Sequence, residues 1–239
     1  MARRKKKKQE KLIVKIITII LVLIIGYFRD DIEKFLVSKT MVSYALSDIP
    51  DYSGQKYIFI NGNEPEFLES DINTNSFESY SNLDILGRCG VAVANIGVDL
   101  MPTKERESIG MVKPSGWQMS KYDFIDGKYL YNRCHLIGYQ LTGENANPKN
   151  LITCTRSMNA KTMLEWENKV ANYIKKTNNH VLYRVTPIFK SNNLIATGVE
   201  IEALSVEDNG RGIKFNVFLY NVEDGVNINY LDGSNEKSN

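Results

Sequence analysis

Histidine and cysteine are scarce in this chain, and their scarcity limits the chemistry that it can perform. Its 239 residues include two histidines and three cysteines. Because three is an odd number, the cysteines cannot all be paired within the chain, although one disulfide is possible in an oxidising compartment. Cys89, Cys134 and Cys154 have neither a C-x-x-C spacing nor a neighbouring pair of histidines, so a structural zinc site is not expected.

The chain also lacks an excess of positive charge in its main body. Seven Lys and Arg residues and Glu10 fall within residues 1–11, which leaves a formal charge of −4 for residues 12–239. A mildly acidic body cannot attract nucleic acid through a global positive field, so any such attraction needs a local basic groove and a bound cation. The hydrophobic content of 43% and the charged content of 24% are those of a globular protein long enough for one main domain with a core.

The N-terminus has the features of a membrane anchor. Residues 12–28 are apolar at all but two positions. As a helix this segment would reach about 25 Å, at the short end of what spans a bilayer. The basic cluster at residues 3–8 predicts that residues 1–11 are a cytoplasmic tail and that the rest of the chain lies outside. Because no small-x-small cleavage pattern follows Gly26, an uncleaved signal anchor is favoured over a cleaved signal peptide, with secretion as the alternative.

Apolar patterning predicts an α+β fold with an antiparallel sheet. Apolar residues at a period near 3.6 predict a helix over residues 157–177. Residues 90–96 fit either a short buried strand or a helix. Four β-rich segments are predicted to be strands: residues 55–62, 181–189, 194–205 and 214–222.

Several local predictions concern loops and chain ends. The turn at Asp126-Gly127 predicts a hairpin over residues 122–131, with His135 after its second strand. Pro102, followed by the sequence TKERES, is typical of a helix start. The remaining boundaries are a linker or helical stalk at residues 29–43, the main domain at residues 44–230 and a flexible tail at residues 231–239.

Residues 131–159 contain an unusual set of polar side chains. They combine His135, the nearby Arg133 and five asparagines with a single carboxylate, Glu144. An imidazole can take a proton from water near neutral pH, and a guanidinium can hold a phosphate in its planar fork. Mg²⁺ accepts neutral oxygen ligands and keeps several waters. The segment therefore suits hydrolysis of a phosphodiester, with a polar loop of ordinary turn residues as the alternative.

The same segment resembles the active-site motif of the DNA/RNA non-specific endonucleases of the ββα-metal type. Their signature is Asp-Arg-Gly-His, followed by a helix that carries a metal-binding Asn. The matching residues here are Asn132-Arg133-Cys134-His135, with later asparagines at Asn147, Asn150 and Asn159. Other segments resemble the family in the same order, namely residues 52–54, 60–63, 86–90, 180–189 and 215–222, so the resemblance covers residues 44–230.

The resemblance implies roles for the individual residues. His135 is expected to be the general base that activates water for in-line attack on phosphorus. Asn159 is expected to bind Mg²⁺, or Mn²⁺ in its place, although Asn is also a good helix cap. Arg133 and Asn147 are expected to contact the substrate, with bracing of the loop as an equal alternative for Arg133. The other histidine, His180, lies at a helix-to-strand junction and is expected to have a surface role.

Asn150 is expected to orient His135, to bind phosphate or to form a turn. Glu167 resembles a helix glutamate that supports metal-bound waters, with a solvated helix face as the alternative. Asn132 and Cys134 depart from the motif, which has Asp and Gly at these places. A neutral Asn132 lowers metal affinity if this position holds a metal-bound water, and it changes little if it bonds only the backbone.

Together these features predict a membrane-anchored, outward-facing, Mg²⁺-dependent non-specific endonuclease. Its expected partners are DNA, with RNA as a further substrate, and the lipid bilayer through residues 12–28; no protein partner is indicated. Because of Asn132, one alternative is a catalytically weak or inactive surface protein of the same fold that binds nucleic acid. A second alternative is a nuclease toxin, although nothing beyond the apolar segment indicates an export module.

Overall fold

The computed structural model describes residues 43–238 and, before them, only Lys11, Lys15, Thr18, Gly26 and Tyr27. The chain divides into two units, residues 1–42 and residues 43–239. The predicted membrane anchor at residues 12–28 and the predicted stalk at residues 29–43 therefore lie almost wholly outside the described residues. Within the part that is described, no helix is both long and apolar enough to cross a bilayer.

A seven-stranded sheet forms the centre of the second unit. Its spatial order is β1 (Ser43–Tyr44), β2 (Tyr57–Ile60), β9 (Lys214–Tyr220), β8 (Gly198–Ser205), β7 (Val181–Ile188), β4 (Ala92–Ile96) and β3 (Phe77–Tyr80). Neighbouring strands are antiparallel except for the pair of β1 and β2 at one edge. The predicted α+β fold with an antiparallel sheet is confirmed, and residues 90–96, which fitted a strand or a helix, contain a strand.

One face of the sheet packs on a long helix and forms the main core. This helix, α2 (Leu164–Thr177), ends where predicted, because Asn178 adopts a left-handed conformation with a φ of 59°. Alternate residues of β7, such as Val181 and Tyr183, are fully buried and form one cluster with Trp166 and Val170 of α2. Each fully buried large side chain contributes about 1.5–3 kcal/mol to the free energy of unfolding.

The opposite face of the sheet is half apolar and half charged. Its apolar half is a second cluster built on Ile58, Ile60, Phe218 and Tyr220. Its charged half lies on β7 and β8 and consists of Arg184, Glu200 and Glu202, and the two glutamates are buried. The alternation of side chains along each strand places the two sets on opposite sides of the sheet.

A pair of short strands leads into α2 and completes the ββα arrangement. Strand β5 (Tyr131–His135) is antiparallel to β6 (Leu151–Thr155), and a short helix α1 (Tyr139–Thr142) lies between them. After β6 the chain enters a π-helical turn (Met158–Met163) that runs directly into α2. The predicted hairpin at residues 122–131 does not supply these strands, because it is closed by a single bridge between Lys121 and Tyr129. His135 is therefore the last residue of β5.

A disulfide between Cys134 and Cys154 joins β5 to β6, so one of the three cysteines remains unpaired. The two Cα atoms are 5.9 Å apart, which suits a disulfide. The unpaired residue, Cys89, is buried, and its thiol donates to the carbonyl of Leu151 at 3.2 Å. Burial raises the pKa of this thiol to about 11, which makes it unreactive at neutral pH.

Two local predictions are wrong. No helix follows Pro102: residues 101–120 form an irregular segment, here called the 101–120 loop, which Tyr139 holds by donating to the Lys104 carbonyl at 2.8 Å. The predicted flexible tail contains a strand, β11 (Asn235–Lys237), paired with β10 (Val226–Ile228). The turn between them contains Gly233 with a φ of 85°, and its carbonyl accepts a hydrogen bond from Tyr131. Tertiary contacts therefore override the local sequence signal at both places.

Candidate active site

The position of His135 at the end of β5 determines the role of each ring nitrogen. Its Nε2 lies 2.7 Å from the Asn145 carbonyl oxygen. Since a carbonyl only accepts hydrogen bonds, Nε2 carries the proton and Nδ1 carries the lone pair. Arg106 donates to Nδ1 from 3.3 Å. Burial lowers the pKa of His135 to about 4, and the positive charge of Arg106 lowers it further. The hydrogen bond to the Asn145 carbonyl acts in the opposite direction. The ring is therefore neutral at physiological pH and has the electron pair that a base requires.

Asn159 lies in the π-helical turn, whose start is held by side chains from two directions. Thr155 accepts a hydrogen bond from the Met158 backbone N–H at 3.1 Å. The Glu223 carboxylate accepts from the Ser157 N–H at 2.8 Å and from its hydroxyl at 2.5 Å. Within the described part of the chain, no hydrogen bond involves the half-buried side chain of Asn159. Its amide is thus held in place by the backbone and is free to take a ligand.

Asn159 lines a cavity of about 460 Å³ together with Asn132 and Arg133. Its wall also contains two arginines from other parts of the chain, Arg106 and Arg156. The remaining polar and apolar wall residues are Ile109, Trp117, Gln118, Met119, Tyr129 and Tyr131. His135 does not line this cavity, but it reaches the cavity wall through its contact with Arg106. The cavity wall therefore combines three arginines with the free amide of Asn159.

The donors in this cavity suit a hard divalent cation that keeps most of its water. The buried Nδ2 of Asn132 has no hydrogen-bond partner, and turning this amide over would present its oxygen at the same place. The residues that the structure describes contain no group of three or more His, Cys, Asp or Glu side chains able to hold a metal. Neutral amide oxygens together with water fit Mg²⁺ better than Zn²⁺, which prefers nitrogen and sulfur ligands.

Arg133 braces the 101–120 loop. Its Nε donates to the Val112 carbonyl at 2.5 Å, and its Nη2 donates to the Gly110 carbonyl at 2.8 Å. Its guanidinium lies 3.9 Å from the centroid of the Trp117 ring. Of the two roles that the sequence left open for Arg133, the structure shows the bracing role, and the side chain still contributes charge to the cavity wall.

Asn150 and Asn147 both bond the backbone, so neither has the phosphate or substrate contact that was one expectation for Asn150 and the expectation for Asn147. Asn150 is fully buried, accepts from the Ile137 N–H at 2.9 Å and donates to the Ile137 carbonyl at 3.0 Å. It therefore fixes the loop that follows His135 and cannot touch a phosphate. Asn147 accepts from the Lys149 N–H at 2.9 Å and caps a short 3₁₀ turn outside the cavity wall.

Glu167 is half-buried and bonds a neighbouring side chain rather than lying on a solvated helix face. Gln140 donates to its Oε2 at 3.4 Å. A Cβ atom at Gly138 would lie 2.5 Å from the same oxygen, so any larger residue there would displace the Glu167 carboxylate. Burial raises the pKa of Glu167 to about 7, while the Gln140 hydrogen bond and the Arg106 charge lower it. Glu165, two residues earlier in the helix, lies on the solvated face that was the alternative for Glu167.

No sequence pattern indicates Arg106, because it lies in an irregular loop 29 residues before His135. Arg156 was also missed, although it lies within the polar segment that carries the motif; it donates to Asp126 at 2.9 Å. His180 has the surface role that was expected, with Nδ1 at 2.7 Å from a carboxylate oxygen of Glu207.

The chain is similar in sequence to one protein family and in structure to several solved proteins. A family model described as DNA/RNA non-specific endonuclease matches residues 69–207. The structure of NucA from Streptococcus agalactiae with a magnesium ion bound superposes with a TM-score of 0.71 at 22% identity, and the match covers 81% of this chain and 94% of that one. Sda1 nuclease with a bound zinc ion gives 0.62 at 24% identity, covering 77% of this chain and 97% of that one.

No curated protein sequence matches this chain. Identities below 25% establish a shared fold, and the family model supplies the family. Because that match spans more than half of the chain, this protein belongs to the DNA/RNA non-specific endonuclease family and is a nuclease.

Proposed function

We propose that this protein is a Mg²⁺-dependent endonuclease that hydrolyses DNA, with RNA as a second substrate, and that His135 is its general base. The observation that carries the proposal is the orientation of the His135 ring. The Asn145 carbonyl engages Nε2, so the basic nitrogen Nδ1 is directed at Arg106 on the cavity wall. A base fixed in this tautomer next to a cationic cavity suits attack of water on a phosphodiester.

The contact between Arg106 and Nδ1 must open before the base can act. A phosphate is a stronger partner for a guanidinium than a neutral imidazole, because the hydrogen bonds are then charge-assisted on both sides. Substrate binding would therefore draw Arg106 towards the phosphate and release Nδ1 to accept a proton from water. Water then bonds to phosphorus while Nδ1 takes its proton, and the bond to the 3′ oxygen breaks. That oxygen takes a proton from solvent and leaves as a 3′ hydroxyl, and the other product retains a 5′ phosphate. The Asn145 carbonyl stabilises the protonated ring that results.

Asn159 would hold the Mg²⁺ ion, and Asn132 would contact its waters. When bound, the ion would supply positive charge that stabilises the phosphate and the departing oxygen in the transition state. Because Asn132 is neutral where the family motif has Asp, no carboxylate lines the cavity. We therefore expect weaker ion binding than a carboxylate at that place would give. Glu167 does not line the cavity, so its carboxylate would influence the metal-bound waters through the charge of Arg106 rather than by direct contact.

The wall of the cavity favours cleavage without sequence preference. Arg106, Arg133 and Arg156 would bind phosphate groups, and phosphate contacts carry no sequence information directly. Binding through such contacts weakens steeply as salt concentration rises.

Cleavage of plasmid DNA by the full-length protein in detergent tests the proposal. We expect degradation of circular, linear and single-stranded DNA with Mg²⁺ and no cleavage in EDTA. Full activity in EDTA would reject the metal-assisted mechanism. Binding without cleavage under every divalent ion tried would favour the inactive nucleic-acid-binding alternative.

We also propose that residues 12–28 anchor the protein and that the nuclease domain faces the outside of the cell. The apolar run, the basic cluster before it and the Cys134–Cys154 disulfide support this, since disulfides persist in oxidising compartments. Protease added to intact spheroplasts should cleave the domain of a protein that fractionates with the membrane. A shortened protein recovered from the medium would instead support signal-peptide cleavage and secretion.

A further inference from the structure

Part of the cavity wall consists of apolar and aromatic side chains that the proposed hydrolysis does not use. Tyr129 and Met119 both line the cavity, and they remain 45% and 74% exposed. The other two rings of the wall are already engaged, because Arg133 covers Trp117 and Tyr131 is 3% exposed. Tyr129 is the most exposed of the three rings and therefore offers the most surface to a ligand.

The local backbone holds Tyr129 in place and puts a cation on its ring. Tyr129 and Lys121 form the bridge at the base of the 122–128 turn. Within that turn the Tyr122 N–H donates to the Lys128 carbonyl at 2.9 Å, and the Lys128 N–H donates to the Ile125 carbonyl at 2.8 Å. The Lys121 Nζ lies 4.6 Å from the ring centroid. Among the described residues Lys121 forms no salt bridge, so its charge is available to a polyanion.

An aromatic wall beside a phosphate site can distinguish unpaired nucleotides from duplex. In a duplex the bases are stacked on each other and turned inwards, so a protein reaches mainly the backbone. In a single strand each base has a free face, and stacking on an aromatic side chain binds it with little regard to sequence. Tyr129 offers such a ring in the same cavity as Arg133 and Asn159.

We propose that Tyr129, Met119 and Lys121 form a subsite for an unpaired nucleobase, so that the protein binds single-stranded DNA or RNA more tightly than duplex. This subsite rests on the proposed function, because the neighbouring Arg133 and Asn159 are taken as the place where the phosphate lies. The flanking charges favour a polyanion over a protein partner: within the described chain Arg106 and Lys121 form no salt bridge, whereas Arg156 pairs with Asp126.

Binding to three oligonucleotide ligands by the full-length protein in EDTA tests the subsite without cleavage. The ligands are a single-stranded thymidine oligomer, a sugar-phosphate oligomer of equal length without bases, and a duplex. Tyr129→Ala should weaken binding of the thymidine oligomer about 5- to 100-fold, the range that loss of base stacking produces. The abasic oligomer and the duplex should change by less than about twofold, because they offer phosphates but no free base.

Two matched variants control the experiment. Tyr129→Phe keeps the ring and should bind all three ligands as the parent does. Tyr52 is a second exposed tyrosine with a lysine on its ring, since Lys56 Nζ lies 5.2 Å from the centroid, but it does not line the cavity. Tyr52→Ala should leave all three affinities unchanged. If Tyr129→Ala fails to fold, Met119→Ala should still weaken thymidine oligomer binding about two- to fivefold, because it removes apolar contact area without altering the turn.

Unchanged binding of the thymidine oligomer by Tyr129→Ala, or an equal loss for all three ligands, would overturn the subsite. The nuclease mechanism is judged separately by cleavage with Mg²⁺. A protein that cleaves DNA but shows no base-dependent effect of Tyr129 rejects the subsite alone. A protein that shows this effect but never cleaves retains the subsite and rejects the mechanism.

Discussion

The two faces of the central sheet bury polar groups in different ways. On the face that packs on α2, the groups at the candidate site are the neutral amides of Asn132 and Asn159 and a neutral His135. On the opposite face, Glu200 and Glu202 are 5% and 2% exposed and share the charge of Arg184. Both faces nevertheless contain a glutamate whose pKa is raised to about 7, Glu167 on one and Glu200 on the other.

A raised pKa therefore does not distinguish the active site from the rest of this protein. Burial is the largest cause of the shift for both glutamates, and the charge of Glu202 adds to it only at Glu200. The site is marked instead by an amide with no internal partner and by an open cavity. We expect substitutions on the site face to change activity and substitutions on the opposite face to change stability.

The largest effect is expected from His135→Ala and Asn159→Ala. Loss of a positioned base typically lowers the rate about 10²–10⁴-fold. Asn159→Ala should abolish cleavage at low Mg²⁺ because it removes the proposed ligand. Added imidazole should partly restore His135→Ala and not Asn159→Ala, which high Mg²⁺ or Mn²⁺ should restore instead. Initial rates on plasmid DNA measure both.

His180→Ala is the control for these two variants. His180 bonds Glu207 and does not line the cavity, so its loss should leave the rate unchanged. His135 is 6% exposed, so His135→Ala should also lower the melting temperature, whereas Asn159→Ala should melt near the parent. Near-parental cleavage by both variants would show that the site has been misplaced.

The second effect concerns the ion pair on the opposite face. Arg184→Leu leaves the carboxylate of Glu202 buried without its 2.5 Å partner. Loss of one partner of a fully buried pair typically costs about 3–5 kcal/mol, and we expect about 2–3 kcal/mol here because the Arg184 side chain is partly exposed. Urea denaturation measures the loss, and kcat should stay at the parental value. A large fall in kcat in a folded protein would contradict the separation of the two faces.

The third effect is a gain in stability with Glu200→Gln. The folded-state pKa of Glu200 is about 7, above the ordinary value of 4.5, so the folded protein binds this proton more tightly than the unfolded chain does. This carboxyl therefore stabilises the fold least above pH 7, and stability rises as pH falls from 7 towards 4.5. Gln mimics the protonated form and should stabilise the protein by about 1–3 kcal/mol at pH 8.

At pH 4.5 the stabilities of Glu200→Gln and the parent should converge. The comparison with the parent is essential, because His135 acts in the opposite direction: its folded-state pKa of about 4 lies below the ordinary 6.5, so stability is lost as pH falls through this range. Thermal melts from pH 4.5 to 8 give the difference. A constant difference across this range would show that Glu200 does not titrate as described.

The smallest effect is expected on the exposed side of α2. Lys169 pairs with Glu165 at 2.8 Å across one helical turn, and both side chains are largely exposed. Lys169→Met removes this pair and should change the free energy of unfolding by less than about 0.5 kcal/mol, with no effect on cleavage. The Lys169 Nζ also lies 3.7 Å from the centroid of the Trp166 ring. A larger loss would mean that this contact contributes more than the ion pair.

Periodic elements were predictable from the sequence, and the elements at the site were less so. Helix α2 and strands β7 and β9 have buried faces, so their apolar residues recur at 3.6 or 2 positions and show in the sequence. Strand β5 reads YNRCH and carries polar site residues in place of an alternating pattern. The turn signal at Asp126-Gly127 is stronger, and it predicts the strand a few residues before β5.

The site itself was partly predictable. His135, Asn132 and Asn159 lie within one continuous segment, so a motif could point to them. Arg106 is brought to His135 by the 101–120 loop, whose path depends on contacts with Arg133 and Tyr139 and has no local pattern. The full burial of Asn150 and the partial burial of Glu167 are likewise tertiary properties, which a polar residue in a sequence does not reveal.

The number of residues in the π-helical turn at Met158–Met163 determines the direction in which Asn159 points relative to α2. Each residue of an α-helix turns the chain by about 100°, so removing one residue from this turn would rotate Asn159 relative to the buried side of α2 by roughly a quarter of a revolution. The helix could stay intact, with Trp166 and Val170 still packed on the sheet, while the amide left the cavity. A change that adds or removes one residue here would therefore cost activity although every side chain named in the site is still present.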